Sequence, residues 1–201
     1  GMDGPSEGAG IIGVVGDHPA AVDALASYGV ETPFGEAPVV LEADPDVVVA
    51  TGESALVDLV DAGVDVPVLP IGAGSGVQSV PPSGLDAMEH LVTGAYNIIR
   101  RPLLRAMTAQ SEDIALFDLM LVTNEQARIS EYTVYDGSAP VAKFRADGVV
   151  VATPAGSGGY AKAVDSPLLA PGTGVVSVVP VAPFATKVDS WVVNNNAVSL
   201  R

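Results

Sequence analysis

The stretch 144–160, FRADGVVVATPAGSGGY, places a glycine-rich loop directly after an apolar strand. Asp147 and Gly148 form a turn pair, residues 149–152 have the pattern of a β-strand, and the loop 153–160 follows. A buried strand that leads into a glycine-rich loop can bring backbone N–H groups close to a phosphate or a nucleotide. We therefore predict an anion-binding or nucleotide-binding loop here.

The first half of the chain carries two further glycine turns after apolar strands. The run DVVVA at 46–50 leads into Gly52 and Glu53, and helical periodicity follows at 55–62. The sequence GAGSG at 72–76 follows the next strand. In a parallel sheet such loops cluster at the carboxyl ends of the strands, where ligands bind.

The N-terminal glycines do not form a dinucleotide-binding fingerprint. Their spacing in GIIGVVG, at 10–16, departs from GxGxxG, and no acidic partner for a ribose is evident. His18 has no catalytic partner nearby in the sequence, which favours a turn or capping residue over a catalyst. Asp17 is the candidate N-cap of a helix with Pro19 near its first position.

Composition excludes several functional classes. The chain has 201 residues, with 9 Lys and Arg against 24 Asp and Glu, so it lacks the basic surface of a nucleic-acid-binding protein. The absence of cysteine excludes disulfides, thiolate zinc sites and cysteine nucleophiles. No apolar run approaches the roughly 20 residues of a membrane helix, and no signal sequence is evident. We expect a cytoplasmic protein with the solvated acidic surface of a halophile.

Strands and helices alternate in the first half, and strands dominate the second. The first half predicts strands at 10–16, 39–41, 46–50 and 66–71, and helices at 17–28, 55–62 and 84–93. The second half predicts strands at 116–123, 127–135, 141–145, 149–152, 174–181 and 191–193. We therefore predict an α/β lobe with a parallel sheet at 1–94, followed by a β-rich lobe at 95–201.

Several segments of the second half resemble motifs of the NAD kinase family, in the family's order. They are Asn124-Glu125 at a strand end, Asp147-Gly148, the loop TPAGSGGY at 153–160 and PVAP at 180–183. In the first half, TGESA at 51–55 occupies the place of the family's Gly-Gly-Asp-Gly-Thr motif. The resemblance implies an α/β lobe followed by a β-sandwich lobe. The acidic composition fits a short, divergent, haloarchaeal member.

The resemblance also implies site residues. The implied NAD-binding residues are Asn124, Glu125, Asp147, Thr153, Gly156, Ser157 and Tyr160. Glu53 replaces the family's aspartate, which is implicated in activating the 2′-hydroxyl of the adenosine ribose, and is the implied catalytic base. Gly52 and Lys162 are the implied phosphate contacts.

Five of these positions also have structural interpretations. Asn124 and Glu125 could form a turn at a strand end, and Asp147 an ordinary Asx turn. Tyr160 could be a core-edge tyrosine. Glu53 could be an exposed acid that the helix dipole stabilises.

Three positions depart from the family's pattern. Glu53 extends the carboxylate by one methylene, while Ala155 and Gly158 replace residues whose hydroxyls help to hold adenine. Each lost side-chain hydrogen bond is worth about 0.5–1.5 kcal/mol. The pocket is therefore expected to hold a nucleotide differently from the family, or to hold another ligand.

The resemblance implies a kinase that phosphorylates NAD, or a related nucleoside, with ATP or polyphosphate as donor and Mg²⁺ as cofactor. The ion would be held mainly by phosphates, which leaves no ligand motif in the sequence. A catalytically impaired or inactive nucleotide-binding relative is the alternative. A lipid or sugar kinase is disfavoured by Asn124-Glu125 and the loop 153–160. The resemblance also implies a homo-oligomer, a dimer or a tetramer.

Overall fold

The protein consists of two compact units, residues 1–101 and 102–201. We predicted the boundary after residue 94. The computed structural model describes residues 8–74, 77, 79–101, 103–107, 112–116, 118–122, 129–153, 175–181, 190–194 and 198–200. No helix in these ranges is long and apolar enough to cross a membrane.

The first unit is built on a four-stranded parallel sheet in the order β2-β1-β3-β4. Its strands are β1 (Ile12–Val15), β2 (Phe34–Gly35), β3 (Val47–Thr51) and β4 (Val68–Ile71). Its helices are α1 (Pro19–Ser27), α2 (Ala37–Glu42), α3 (Glu53–Asp61) and α4 (Ala87–Thr93). The continuous apolar run of β3 forms a strand because both of its faces are buried between helices.

Helices cover both faces of this sheet. On one face, strand residues pack with α1 and α4 in a core made of Ile12, Val14, Ala21, Leu25, Val47, Val49, Ile71, Met88 and Leu91. On the other face, Val40 of α2 occupies the space where a side chain at Gly13 would lie. Helix α3 packs beside α2. The predicted α/β lobe is thus confirmed, and its carboxyl-end loops lie on one edge.

The second unit is made of antiparallel strands in three sheets. One sheet has the order β12-β11-β10-β7, with β7 (Asp118–Val122), β10 (Gly148–Ala152), β11 (Val175–Val181) and β12 (Trp191–Asn194). Another has the order β13-β8-β9, with β8 (Ser130–Asp136), β9 (Ala139–Ala146) and β13 (Val198–Leu200). The third pairs β5 (Leu104–Met107) with β6 (Glu112–Ala115).

The two larger sheets share one apolar core. Val134 of β8 packs with Val149 of β10 and Val176 of β11. The Phe144 ring of β9 stacks on the Trp191 ring of β12, with centroids 5.3 Å apart. Side chains of both sheets therefore meet face to face, as in a β-sandwich, and the predicted β-rich lobe is confirmed.

Three local predictions were wrong or incomplete. Residues 39–41 form part of α2 and not a strand, because Ala37 and Val40 are both buried on one helical face and Pro38 suits the first turn. His18, and not Asp17, is the N-cap of α1. Strands β2, β5, β6 and β13 were not predicted.

Candidate active site

The chain reverses its direction of winding between β1 and β3. From β1 it passes through α1 to β2 on one side, and then crosses to β3 on the other side. The carboxyl ends of these two strands, at Val15 and Thr51, therefore flank a topological switch point. In open α/β sheets, ligands bind in the crevice outside the strand ends at such a point.

Glu53 lies on the turn at this switch point. It is the first residue of α3, and its side chain is exposed. The preceding Gly52 has φ 90° and ψ 164°, a conformation that only glycine adopts readily, and its N–H donates to the Ile71 carbonyl at 2.7 Å. Helix α3 has no side-chain cap. Its first-turn N–H groups therefore point toward the edge where an anion could bind.

The turn after β1 packs directly against the turn after β3. Gly16, at φ 98°, lies so close to Thr51 that a Cβ atom on Gly16 would be 2.7 Å from the Thr51 carbonyl oxygen. The Thr51 hydroxyl donates to the Val15 carbonyl at 3.0 Å. The sequence analysis did not predict this contact. The available signal was the hydroxyl of Thr51, which stands at the end of an apolar strand and directly before Gly52.

His18 lies at the same edge of the sheet, after β1, and has a structural role. Its Nδ1 accepts from the Ala21 N–H at 3.2 Å, so Nε2 carries the proton and donates to the Pro82 carbonyl at 3.0 Å. Both nitrogens of the neutral ring are thus used within the protein. The capping role that we predicted for His18 is confirmed.

We expect His18→Ala to lower the free energy of unfolding by about 1 kcal/mol, because the variant loses the N-cap of α1. His18→Asn should recover most of this loss, since asparagine can accept from the same N–H. Urea unfolding followed by circular dichroism measures both variants. Equal stability of the native protein and the alanine variant would show that His18 does not stabilise α1 as its N-cap.

The loop after β4 does not have the context of the Gly-Gly-Asp-Gly-Thr motif. The Gly72 N–H donates to the Val80 carbonyl at 2.8 Å, and Ile71 forms a bridge with Val80. The chain therefore returns to the end of β4 at Val80 before it reaches α4. The strand–turn–helix context belongs to 51–55.

Asp147 lies where the chain leaves one sheet of the sandwich for the other. It separates β9 from β10, its side chain is exposed, and its N–H donates to the Val181 carbonyl at 3.0 Å. The adjacent Gly148 is buried and pairs with Val122 and Val181. The Asp-Gly pair is thus a crossing between sheets and not the turn of a hairpin.

Thr153 begins the glycine-rich loop and is buried. Its hydroxyl donates to the Leu116 carbonyl at 2.6 Å, so the start of the loop is anchored to the segment before β7. The other predicted ligand residues lie outside the described part of the chain; they are Asn124, Glu125, Gly156, Ser157, Tyr160 and Lys162.

Charge is distributed unevenly around the candidate site. Residues 1–99 contain 15 Asp and Glu and no Lys or Arg. Within the ranges that the structure describes, no group of three or more His, Asp or Glu side chains could hold a metal ion. Apart from Arg100 and Arg101 at its end, the first unit therefore offers an anion backbone N–H groups and no Lys or Arg side chain.

Comparison with known proteins identifies the family. A family model described as the ATP-NAD kinase C-terminal domain matches residues 117–201. The NAD kinase of Symbiobacterium thermophilum is 32% identical over 186 residues, which cover 88% of this chain and 65% of the relative. The chain belongs to the NAD kinase family.

Two further comparisons agree. The NAD kinase of Methanosarcina barkeri is 30% identical over 117 residues, 58% of this chain and 42% of the relative. The crystal structure of an NAD kinase from Archaeoglobus fulgidus in complex with ATP has a TM-score of 0.76 at 21% identity and covers 92% of this chain and 77% of that one. The chain thus shares the family's fold, although it spans between two fifths and two thirds of these two curated relatives.

Proposed function

We propose that the protein is a phosphotransferase that converts NAD to NADP, with ATP or polyphosphate as phosphoryl donor. The observation that carries this proposal is the position of Glu53. Its carboxylate lies at the first residue of α3, on the turn that follows β3 at the switch point of the sheet. Membership of the NAD kinase family supports the reaction. The ATP complex of the Archaeoglobus fulgidus enzyme supports ATP as the donor.

In the proposed reaction, Glu53 accepts the proton of the adenosine 2′-hydroxyl while that oxygen attacks the terminal phosphorus of the donor. The bond between this phosphorus and the bridging oxygen breaks, and ADP or a shortened polyphosphate leaves. First-turn N–H groups of α3, following Gly52, would stabilise charge on the transferred phosphoryl group. Lys162 would add a positive charge, which the first 99 residues lack.

We propose that NAD is held mainly by residues of the second half. These are Asn124, Glu125, Asp147, Thr153, Gly156, Ser157 and Tyr160. Asparagine can both donate and accept, and carboxylates accept from sugar hydroxyls. The exposure of Asp147 is compatible with such a contact.

Mg²⁺ is the proposed cofactor. The donor phosphates would supply most of its ligands, because Mg²⁺ is commonly bound through substrate phosphates together with few protein carboxylates. When bound, the ion neutralises phosphate charge.

The direct test combines protein, NAD, ATP and Mg²⁺ at high salt and measures NADP. A parallel assay replaces ATP with polyphosphate, and a thermal-shift assay with NAD or ATP reports binding without turnover. NADP formation supports the proposal. Binding of NAD without any product would overturn it.

Glu53→Gln should reduce turnover by roughly 100-fold or more, because the amide cannot accept the proton. Glu89→Gln is the matched control, since Glu89 is also an exposed acid in the first turn of a helix. Both variants lose the same favourable interaction with a helix dipole. If both variants keep full turnover, Glu53 is not the base and its role is structural.

A nucleotide-binding relative without catalysis is the second candidate. The replacement of the family's aspartate by Glu53, and of two loop hydroxyl residues by Ala155 and Gly158, favours it. A shift of the reacting groups by about 1 Å can cost on the order of 100-fold in rate. This candidate predicts a rise in melting temperature with NAD and no NADP in the same samples.

We also propose a cytoplasmic homo-oligomer, a dimer or a tetramer. Size-exclusion chromatography with light scattering, at high and low salt, measures its mass. A monomeric mass at both salt concentrations would contradict the assembly.

A further inference from the structure

Two hydrogen bonds hold the β3–α3 turn from opposite sides. The Thr51 hydroxyl donates to the Val15 carbonyl of β1 at 3.0 Å. The Gly52 N–H donates to the Ile71 carbonyl of β4 at 2.7 Å. Adjacent residues thus join the turn to both neighbouring strands, immediately before Glu53.

The bond to β1 depends on the identity of the side chain. The backbone pairing of β1 with β3 ends at Val15 and Ala50, so Thr51 lies one residue beyond the last pair. Its hydroxyl extends the connection past the end of the ladder. The Gly52 bond, in contrast, uses a backbone N–H that almost any residue would supply.

The packing around Thr51 is close enough to keep its side chain in place. Gly16 leaves no room for a Cβ atom beside the Thr51 hydroxyl and carbonyl oxygens, and Ala55 of α3 borders the same space. A β-branched side chain also has few χ1 rotamers. The turn after β1 therefore encloses the threonine, which is partly buried.

We infer that Thr51 is a positioning residue for Glu53: its hydroxyl fixes the turn that carries the carboxylate relative to β1. This inference rests on the proposed function. Because small displacements of reacting groups slow a reaction strongly, loss of the hydroxyl should reduce turnover more than it reduces substrate binding.

The experiment compares three variants in the NADP-forming assay. Thr51→Val keeps the shape and removes the hydroxyl, and should lower kcat roughly tenfold while KM for NAD and ATP changes less than about twofold. Thr51→Ser keeps the hydroxyl and should retain most of kcat. Thr32→Val is the matched control: the partly buried Thr32 hydroxyl donates to the Val30 carbonyl at 3.1 Å, before β2, away from the carboxyl edge.

The outcomes separate this inference from the proposed function. Unchanged kcat in Thr51→Val, with an active native protein, would overturn the positioning role alone. Equal losses in Thr51→Val and Thr32→Val would also overturn it, because the loss would then reflect general destabilisation. Absence of NADP formation by the native protein would remove the proposed function and this inference together. Melting curves of each variant confirm that the protein assayed is folded.

Discussion

Gly16→Ala is expected to destabilise the first unit by about 3 kcal/mol or more. Backbone strain at a positive φ costs about 1–3 kcal/mol, and overpacking costs about 1–3 kcal/mol. Both apply here, since Gly16 has φ 98° and its Cβ would lie 2.7 Å from the Thr51 carbonyl oxygen. Urea unfolding followed by helical circular dichroism measures the effect, because all helices of the described ranges lie in this unit.

Gly29→Ala is the control for Gly16→Ala. Gly29 has φ 75°, and nothing lies within 4 Å of a Cβ built there, so the variant adds strain without overpacking. It should cost about 1–2 kcal/mol. Trp191, the one tryptophan of the chain, lies in the second unit and gives an independent fluorescence signal. A loss in Gly16→Ala no greater than in Gly29→Ala would show that the two turns do not pack as described.

Increasing salt is expected to raise the melting temperature of the first unit by roughly 10 °C. Fifteen acidic side chains without a Lys or Arg in residues 1–99 repel one another, and screening recovers on the order of 2 kcal/mol. For a unit of this size, about 1 kcal/mol corresponds to 4–8 °C. Circular dichroism melts from about 0.05 to 2 M NaCl measure the shift, as the Debye length falls from above 10 Å to below 3 Å.

The shape of the salt curve identifies the cause. Screening of charge repulsion raises the melting temperature mostly below about 0.5 M salt. Stabilisation through the exclusion of salt from the protein surface, in contrast, continues to increase at molar concentrations. Guanidinium chloride at about 0.2 M should therefore stabilise the unit slightly, while urea at the same concentration should not. A linear rise with NaCl, without saturation, would contradict charge repulsion as the source.

The acidic composition of residues 1–99 also predicts how salt changes the affinity for nucleotides. Anionic ligands usually bind more weakly as salt rises. Here the apparent affinity for ATP should increase from about 0.05 to 0.5 M NaCl, because screening weakens the repulsion from the acidic unit. Isothermal titration calorimetry at several salt concentrations shows whether the affinity for ATP rises or falls. Weaker binding at every increment would show that local positive charge outweighs the acidic unit.

Local sequence patterns determined most of the architecture. The run 46–50 predicted β3 because a strand buried on both faces needs apolar residues at every position. Gly52 and Glu53 were expected on a strand-to-helix turn, and the structure places them there. Six antiparallel strands of the second unit, β7 to β12, followed from short β-rich runs between turn residues. Patterns of this kind depend on neighbours within a few residues.

Other features needed contacts between distant parts of the chain. Residues 39–41 could form a strand or a helix, and packing of Val40 under Gly13 decided for the helix. His18 replaced Asp17 as the N-cap, and Pro82, which is 64 residues away in sequence, binds its other nitrogen. A pattern of apolar residues cannot report such a partner, because its position is set only by the folded sheet.

The sequence by itself determined the family, the order of α/β and β-rich parts, and a carboxylate at the start of α3. Only the tertiary structure decided what holds that carboxylate in place. Because β1 and β3 are adjacent in the sheet but separated in sequence by α1, β2 and α2, the contact of Thr51 with Val15 and Gly16 exists only after the chain has crossed over. The physical reason is that the order of strands in a sheet brings distant residues to one edge.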